Sequence, residues 1–147
     1  MDFIYTLLYV SEASNAFQRN PDINSIFDVS VRWNESVGIT GALIYSGEYF
    51  SQYLEGSMTD VQYLMEKIRR DERHHSIEIV ETCTKESRLF PDWSLAYAGK
   101  SEFVQEELLS LFIGENGEED GVSASARMIN LMTDLVAIRK KFGTSIH

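Results

Sequence analysis

The chain of 147 residues has one cysteine, two prolines, and 13 basic residues against 23 acidic ones. A single thiol, Cys83, excludes a disulfide framework and a thiolate metal site. The net charge of -10 argues against direct binding to nucleic acid or an anionic membrane, because neutralising phosphates takes clustered Lys and Arg. No apolar run approaches the roughly 20 residues of a membrane-spanning helix. The first residues run directly into a strand pattern, without the regions of a secretion signal. These shortages lead us to expect a cytoplasmic protein of one domain, or one small domain with an appended element, able to bury a real core.

What is present centres on the stretch from Gly38 to Gly56, GITGALIYSGEYFSQYLEG. Two runs rich in Ile, Leu, Tyr and Phe, Ile39 to Ser46 and Tyr49 to Glu55, flank a short turn at Gly47 and predict a β-hairpin. Alternation places Phe50, Gln52 and Leu54 on one face and Ser51, Tyr53 and Glu55 on the other. Gln52 therefore sits in the middle of an apolar row. An unpaired amide there costs roughly 1–3 kcal/mol, so it needs a partner, and a backbone group would serve as well as anything else.

Phe3 to Val10 is apolar on both faces apart from Thr6 and the phenols, the pattern of a central strand covered on both sides, with Tyr9 near its end. By itself Tyr9 reads as a core tyrosine. After a polar loop, a helix is expected from Asn20 or Pro21 to Gly38, with Ile23, Ile26, Phe27, Ser30 and Asn34 along its inward stripe. An inward Asn34 suits a local cap as readily as a ligand. Ser57 or Thr59 caps a second helix with Met58, Val61, Leu64, Met65 and Ile68 inward. The helix ends in a cluster from Lys67 to His75, including Arg69, Arg70, Asp71, Arg73 and His74. That cluster is either a solvated helix end or the one place in an acidic chain suited to hold a phosphate. Its adjacent histidines have no third ligand at metal spacing.

Ser76 to Thr84 reads as a strand, and Trp93, Leu95 and Tyr97 alternate along a short last one. The order strand, helix, strand, strand, helix, strand, strand predicts an α+β fold, ferredoxin-like β-α-β-β-α-β with an extra fifth strand and two helices on one sheet face. Gly99 and Lys100 mark a boundary, dividing residues 1–98 from an extension at 99–147. The extension is expected to hold two helices, Glu102 to Ile113 and Ala124 to Phe142, around an acidic loop at 114–123. They would cap the open sheet face or form an oligomer seam.

The segments LLYVS with Tyr9, WNESVGITGALIYS with Asn34, FSQYLEG with Gln52, DERHHS and FPDWSL with Trp93 together resemble the BLUF family of blue-light receptors over about residues 1–98. The resemblance implies a non-covalent flavin, FAD with FMN or riboflavin open, in a slot between two helices. Ile26, Phe50, Leu54 and Ile68 would lie against the ring, and Asn34 and Gln52 would meet its polar edge. Lys67, Asp71, Arg73 and His74 would stand near the phosphate tail. The implied photochemistry is proton-coupled electron transfer from Tyr9 relayed by Gln52, with Trp93 beside it. Where a Met commonly follows the Trp-Ser pair this chain has Leu95, keeping apolar volume but losing a thioether. The resemblance further implies a sensor, not an enzyme, acting as a homodimer or higher homo-oligomer on a separate downstream effector protein, with no nucleic acid or membrane partner. Two other classes stay open: a non-photochemical regulator on the same fold, and a small hydrolase, for which no Ser-His-Asp set, carboxylate dyad or phosphate loop is present.

Overall fold

In the computed structural model, which describes residues 3–113 and 123–142, the chain begins β1 (Ile4–Ala13), α1 (Asn15–Arg19), α2 (Ile23–Val37), β2 (Thr40–Tyr45) and β3 (Tyr49–Gly56). It continues α3 (Met58–Arg69), β4 (His74–Lys85), β5 (Trp93–Ala98), α4 (Glu102–Ile113) and α5 (Ala124–Phe142). The strands form one sheet in the order β4-β1-β3-β2-β5, antiparallel except between β2 and β5. This is the expected α+β, ferredoxin-like arrangement with a fifth strand. Most of the acidic loop expected at 114–123 lies outside the described residues, as does the side chain of Phe27. Among the described residues, no helix is long and apolar enough to cross a membrane.

The run of apolar residues in β1 is explained by its place between β3 and β4, with helices over both faces; Thr6 to Ser11 are all buried. On one face Leu7, Tyr9, Leu43, Phe50, Leu54, Trp93 and Leu95 form a core under α2 and α3. On the other, Leu8, Val10, Ile44 and Tyr53 meet Val104, Leu108, Met128 and Met132 of α4 and α5. The helices of the extension thus cover the second sheet face, as helix-on-sheet packing predicts.

Four details depart from the sequence pattern. Met58, expected on the inward stripe of α3, is 51% exposed at the first residue of that helix. The polar loop after β1 contains α1, capped by Ser14, whose Oγ accepts from Phe17 N–H; Phe17 is buried edge-on against Tyr45. Helix α2 begins at Ile23, not Asn20 or Pro21, because the Asp22 carboxylate accepts from Ser25 N–H and takes the capping position. Tyr97 does not continue the row of Trp93 and Leu95. Leu43 faces Leu95 but Ile44 faces Tyr97, so Ala96 is the extra residue of a bulge and Tyr97 turns to the α4–α5 side.

Two glycines are required by geometry. Gly38 ends α2 in the left-handed region at φ 73°. A Cβ on Gly41 would lie 1.8 Å from the Tyr53 carbonyl oxygen, so only glycine lets β2 and β3 approach there. Behind this hairpin the wholly buried Glu55 carboxylate accepts from Leu89 and Phe90 N–H, each at 2.7 Å, and ties the β4–β5 connection to β3. Burial raises its pKa, partly offset by those two N–H groups and by Arg88 and Lys85.

Candidate functional site

A cleft opens between α2 and α3 above the middle of the sheet. Tyr9 and Gln52 lie on its floor, Leu43 and Phe50 beside them. Ile26 and Ser30 come from α2, and Ile68, Asp71, Arg73 and His74 from the end of α3 and the start of β4. Its volume, about 60 Å³, is well below the roughly 300–1,000 Å³ of a site for a drug-sized ligand.

The floor is a cross-strand pair. Tyr9 on β1 and Gln52 on β3 are direct register partners, and the Gln52 amide Nε2 donates to the Tyr9 hydroxyl. Burial drives the Tyr9 pKa far above its ordinary value; the Gln52 bond lowers it only in part, and the Asp71 charge adds to the rise. Tyr9 is thus a neutral phenol with an amide partner. Half a turn of that amide replaces Nε2 by Oε1 and converts Tyr9 from acceptor to donor.

One wall is held by His74. Its Nε2 donates to the Ile68 carbonyl at 2.6 Å, which leaves Nδ1 to accept from Ser11 Oγ at 2.7 Å. Its ring lies 5.9 Å from Phe50 and 6.3 Å from Tyr9. Burial lowers the His74 pKa, opposed by the Ile68 carbonyl and Asp71 and assisted by Arg73 and His75. At the mouth Arg73 grips Asp71 in a fork, Nε at 2.9 Å from Oδ1 and Nη2 at 2.5 Å from Oδ2. Burial acts to raise the Asp71 carboxyl, but the hydrogen bonds and charge of Arg73, with His74, hold it below its ordinary value.

Asn34 is 1% exposed, and neither its Nδ2 nor its Oδ1 has a hydrogen-bond partner. A buried amide left with both atoms unpaired is costly, so the position calls for a group with an acceptor and a donor side by side. The carbonyl and N–H groups along a flavin edge meet that requirement, and the residues present fit the cofactor.

The structure therefore brings Tyr9, Gln52, Ile26, Phe50, Ile68, Asp71, Arg73 and His74 to one cleft. Asn34 is not among the residues that line the cleft, and Leu54 lies fully buried in the core beneath it. Trp93 is packed in that core at 6% exposure, its indole Nε1 unpaired, and Leu95 stands opposite Leu43. Lys67 points elsewhere: its Nζ sits 4.4 Å over the Trp33 ring, which stacks on Tyr63 across α2 and α3. Ser30 and Leu43 line the cleft without having been singled out for it. Their signal was available, Ser30 in the α2 stripe one turn before Asn34 and Leu43 directly across from Gln52.

Residues 4–96 match the family profile described as BLUF, sensors of blue light using FAD. The photoactivated adenylate cyclase subunit beta of Euglena longa is 34% identical over 108 residues, 73% of this chain. Subunit alpha from Euglena gracilis is 37% identical over 87 residues, 59% of the chain. The aligned segments span only 12% and 8% of those relatives. Among solved structures, the dark state of the BLUF protein BlrB superposes with a TM-score of 0.69 at 27% identity, covering 93% of this chain and 98% of that one. BlsA in its photo-activated state gives 0.68 at 25% identity, over 88% and 94%.

Proposed function

This chain belongs to the BLUF family of blue-light sensors using FAD, and we propose that it is a photoreceptor whose working part is the Tyr9–Gln52 pair. The observation that carries the reading is that pair on the cleft floor, with the unpartnered Asn34 amide buried under α2. Ile26, Phe50 and Ile68 would hold the flavin ring, Gln52 on the cleft floor and the unpaired Asn34 amide of α2 its polar edge, and Asp71, Arg73 and His74 the start of its phosphate-bearing tail. When bound, the cofactor supplies light absorption and an electron acceptor.

Tyr9 gives up an electron together with its hydroxyl proton, since a buried phenol is a poor donor unless the proton leaves too. Gln52 would take that proton on its amide oxygen and give it back as the electron returns to Tyr9, the side chain being left rotated or tautomerised. Its hydrogen bonds to the flavin edge would then differ from those in the dark, and absorption would shift to the red. Re-pairing one buried amide is worth on the order of 1–3 kcal/mol, whereas a near-complete population switch needs about 5.5 kcal/mol. The output is therefore graded unless several contacts move together.

We assign residues 1–98 to light sensing and 99–147 to a helical extension. The chain then signals as a homo-oligomer to a separate effector protein in the cytoplasm rather than by its own catalysis. Purified protein should be yellow, release FAD on denaturation, and show a small reversible red shift under blue light. A colourless protein that binds no added flavin contradicts the reading.

A further inference from the structure

The bulge in β5 is met from behind. Trp93 and Leu95 point to the cleft side, whereas Ala96 and Tyr97 belong to the core under α4 and α5. Arg139 of α5 donates from Nε to the Ala96 carbonyl at 3.0 Å, so a helical side chain holds the residue that the register skips. The next residue, Lys140, lies 3.5 Å from Asp92, just before Trp93. That second contact is an exposed ion pair and contributes little. Arg139 differs, because its Nη1 is buried and has no hydrogen-bond partner. Burial also lowers the pKa of this guanidinium.

A bulge is a place where a strand can take up or lose one residue of register, and β5 joins β2 along only one side. A shift of β5 driven from the Leu43–Leu95 side would move the Ala96 carbonyl relative to α5. An arginine with a free second donor can follow that shift by adding or exchanging an acceptor. Lysine carries its three donors on one nitrogen and cannot hold the Ala96 carbonyl and a second acceptor at the fixed separation of Nε and Nη1.

We propose that Arg139 is the positioning residue that couples β5 to α5: its Nε reads the carbonyl at the Ala96 bulge, and its unpartnered Nη1 provides the second hydrogen bond that forms when β5 moves. This inference rests on the light-sensing reading of the cleft and specifies where its signal crosses the sheet.

The test uses the full chain with bound flavin, its light-minus-dark spectrum, and amide hydrogen exchange of residues 124–142 in dark and light. Unaltered protein should show both the red shift and a light-dependent change of exchange in α5. Arg139→Met should keep the red shift, exchange faster in the dark and lose the light-dependent change. Arg139→Lys should keep the red shift and the dark protection, and also lose the change. Either variant retaining the full light-dependent change overturns the coupling while leaving the photochemistry intact. An unaltered chain with no red shift overturns the light-sensing reading and the coupling with it.

Discussion

Gln52 and Tyr9 are cross-strand neighbours whose side chains hydrogen-bond to each other on the floor of the cleft, between the two central strands β1 and β3. Tyr9→Phe removes the hydroxyl and leaves the buried amide Nε2 of Gln52 without its partner, a cost of about 1–3 kcal/mol. The variant should still fold and bind flavin, with its urea midpoint lowered accordingly, but lose the reversible red shift. Denaturation and difference spectroscopy on the same preparation check both expectations.

The unpaired Asn34 amide gives a prediction of opposite sign for the two states of the protein. Without flavin, Asn34→Leu removes two unsatisfied buried atoms and should leave stability unchanged or raise it. With flavin, the same change removes hydrogen bonds to the ring edge. Affinity should fall roughly 10- to 100-fold, equivalent to about 1–3 kcal/mol. Flavin titration by fluorescence quenching, beside thermal melts of flavin-free protein, measures both.

Acid should destabilise the protein first through His74. Burial depresses its folded pKa, so as pH falls below about 6.5 the unfolded chain takes up a proton that the folded chain still refuses. Stability is therefore lost from about pH 6.5 downward until His74 itself protonates. Asp71, whose pKa is lowered, begins to cost stability only below the ordinary carboxylate range. Urea midpoints between about pH 7.5 and pH 5 should decline, and His74→Gln should flatten that decline.

Glu55 anchors the chain leading to Trp93, its two oxygens each accepting a backbone N–H. Glu55→Gln replaces one oxygen by an NH₂ that must face a donor. We expect a loss of about 1–3 kcal/mol, read as a lower melting temperature, without loss of the ability to bind flavin.

Much of this was legible in the sequence because the decisive signals are periodic. Alternation placed Phe50, Gln52 and Leu54 on one face, and the unbroken apolar run of β1 marked a central strand bearing Tyr9. The stripe of α2 turned Asn34 inward. The remainder depended on contacts that periodicity does not encode. Helix α1 exists because Phe17 packs on Tyr45 and Phe50, partners remote in sequence. The turn of Tyr97 to the far face follows from a bulge, which strict alternation cannot foresee. Lys67 lies over Trp33 and Tyr63 rather than at the cleft because two aromatic faces on neighbouring helices offer its ammonium a closer partner. Leu54 has the right parity for the cleft, yet sits in the core beneath it because parity fixes the face and not the position along the sheet.

The most direct test of the account is the light-minus-dark absorption spectrum of the flavin-loaded chain beside Gln52→Leu. If the amide of Gln52 is the moving part, the unaltered chain shows a reversible red shift and Gln52→Leu, with flavin bound, shows none. A Gln52→Leu protein with the full reversible shift would contradict it.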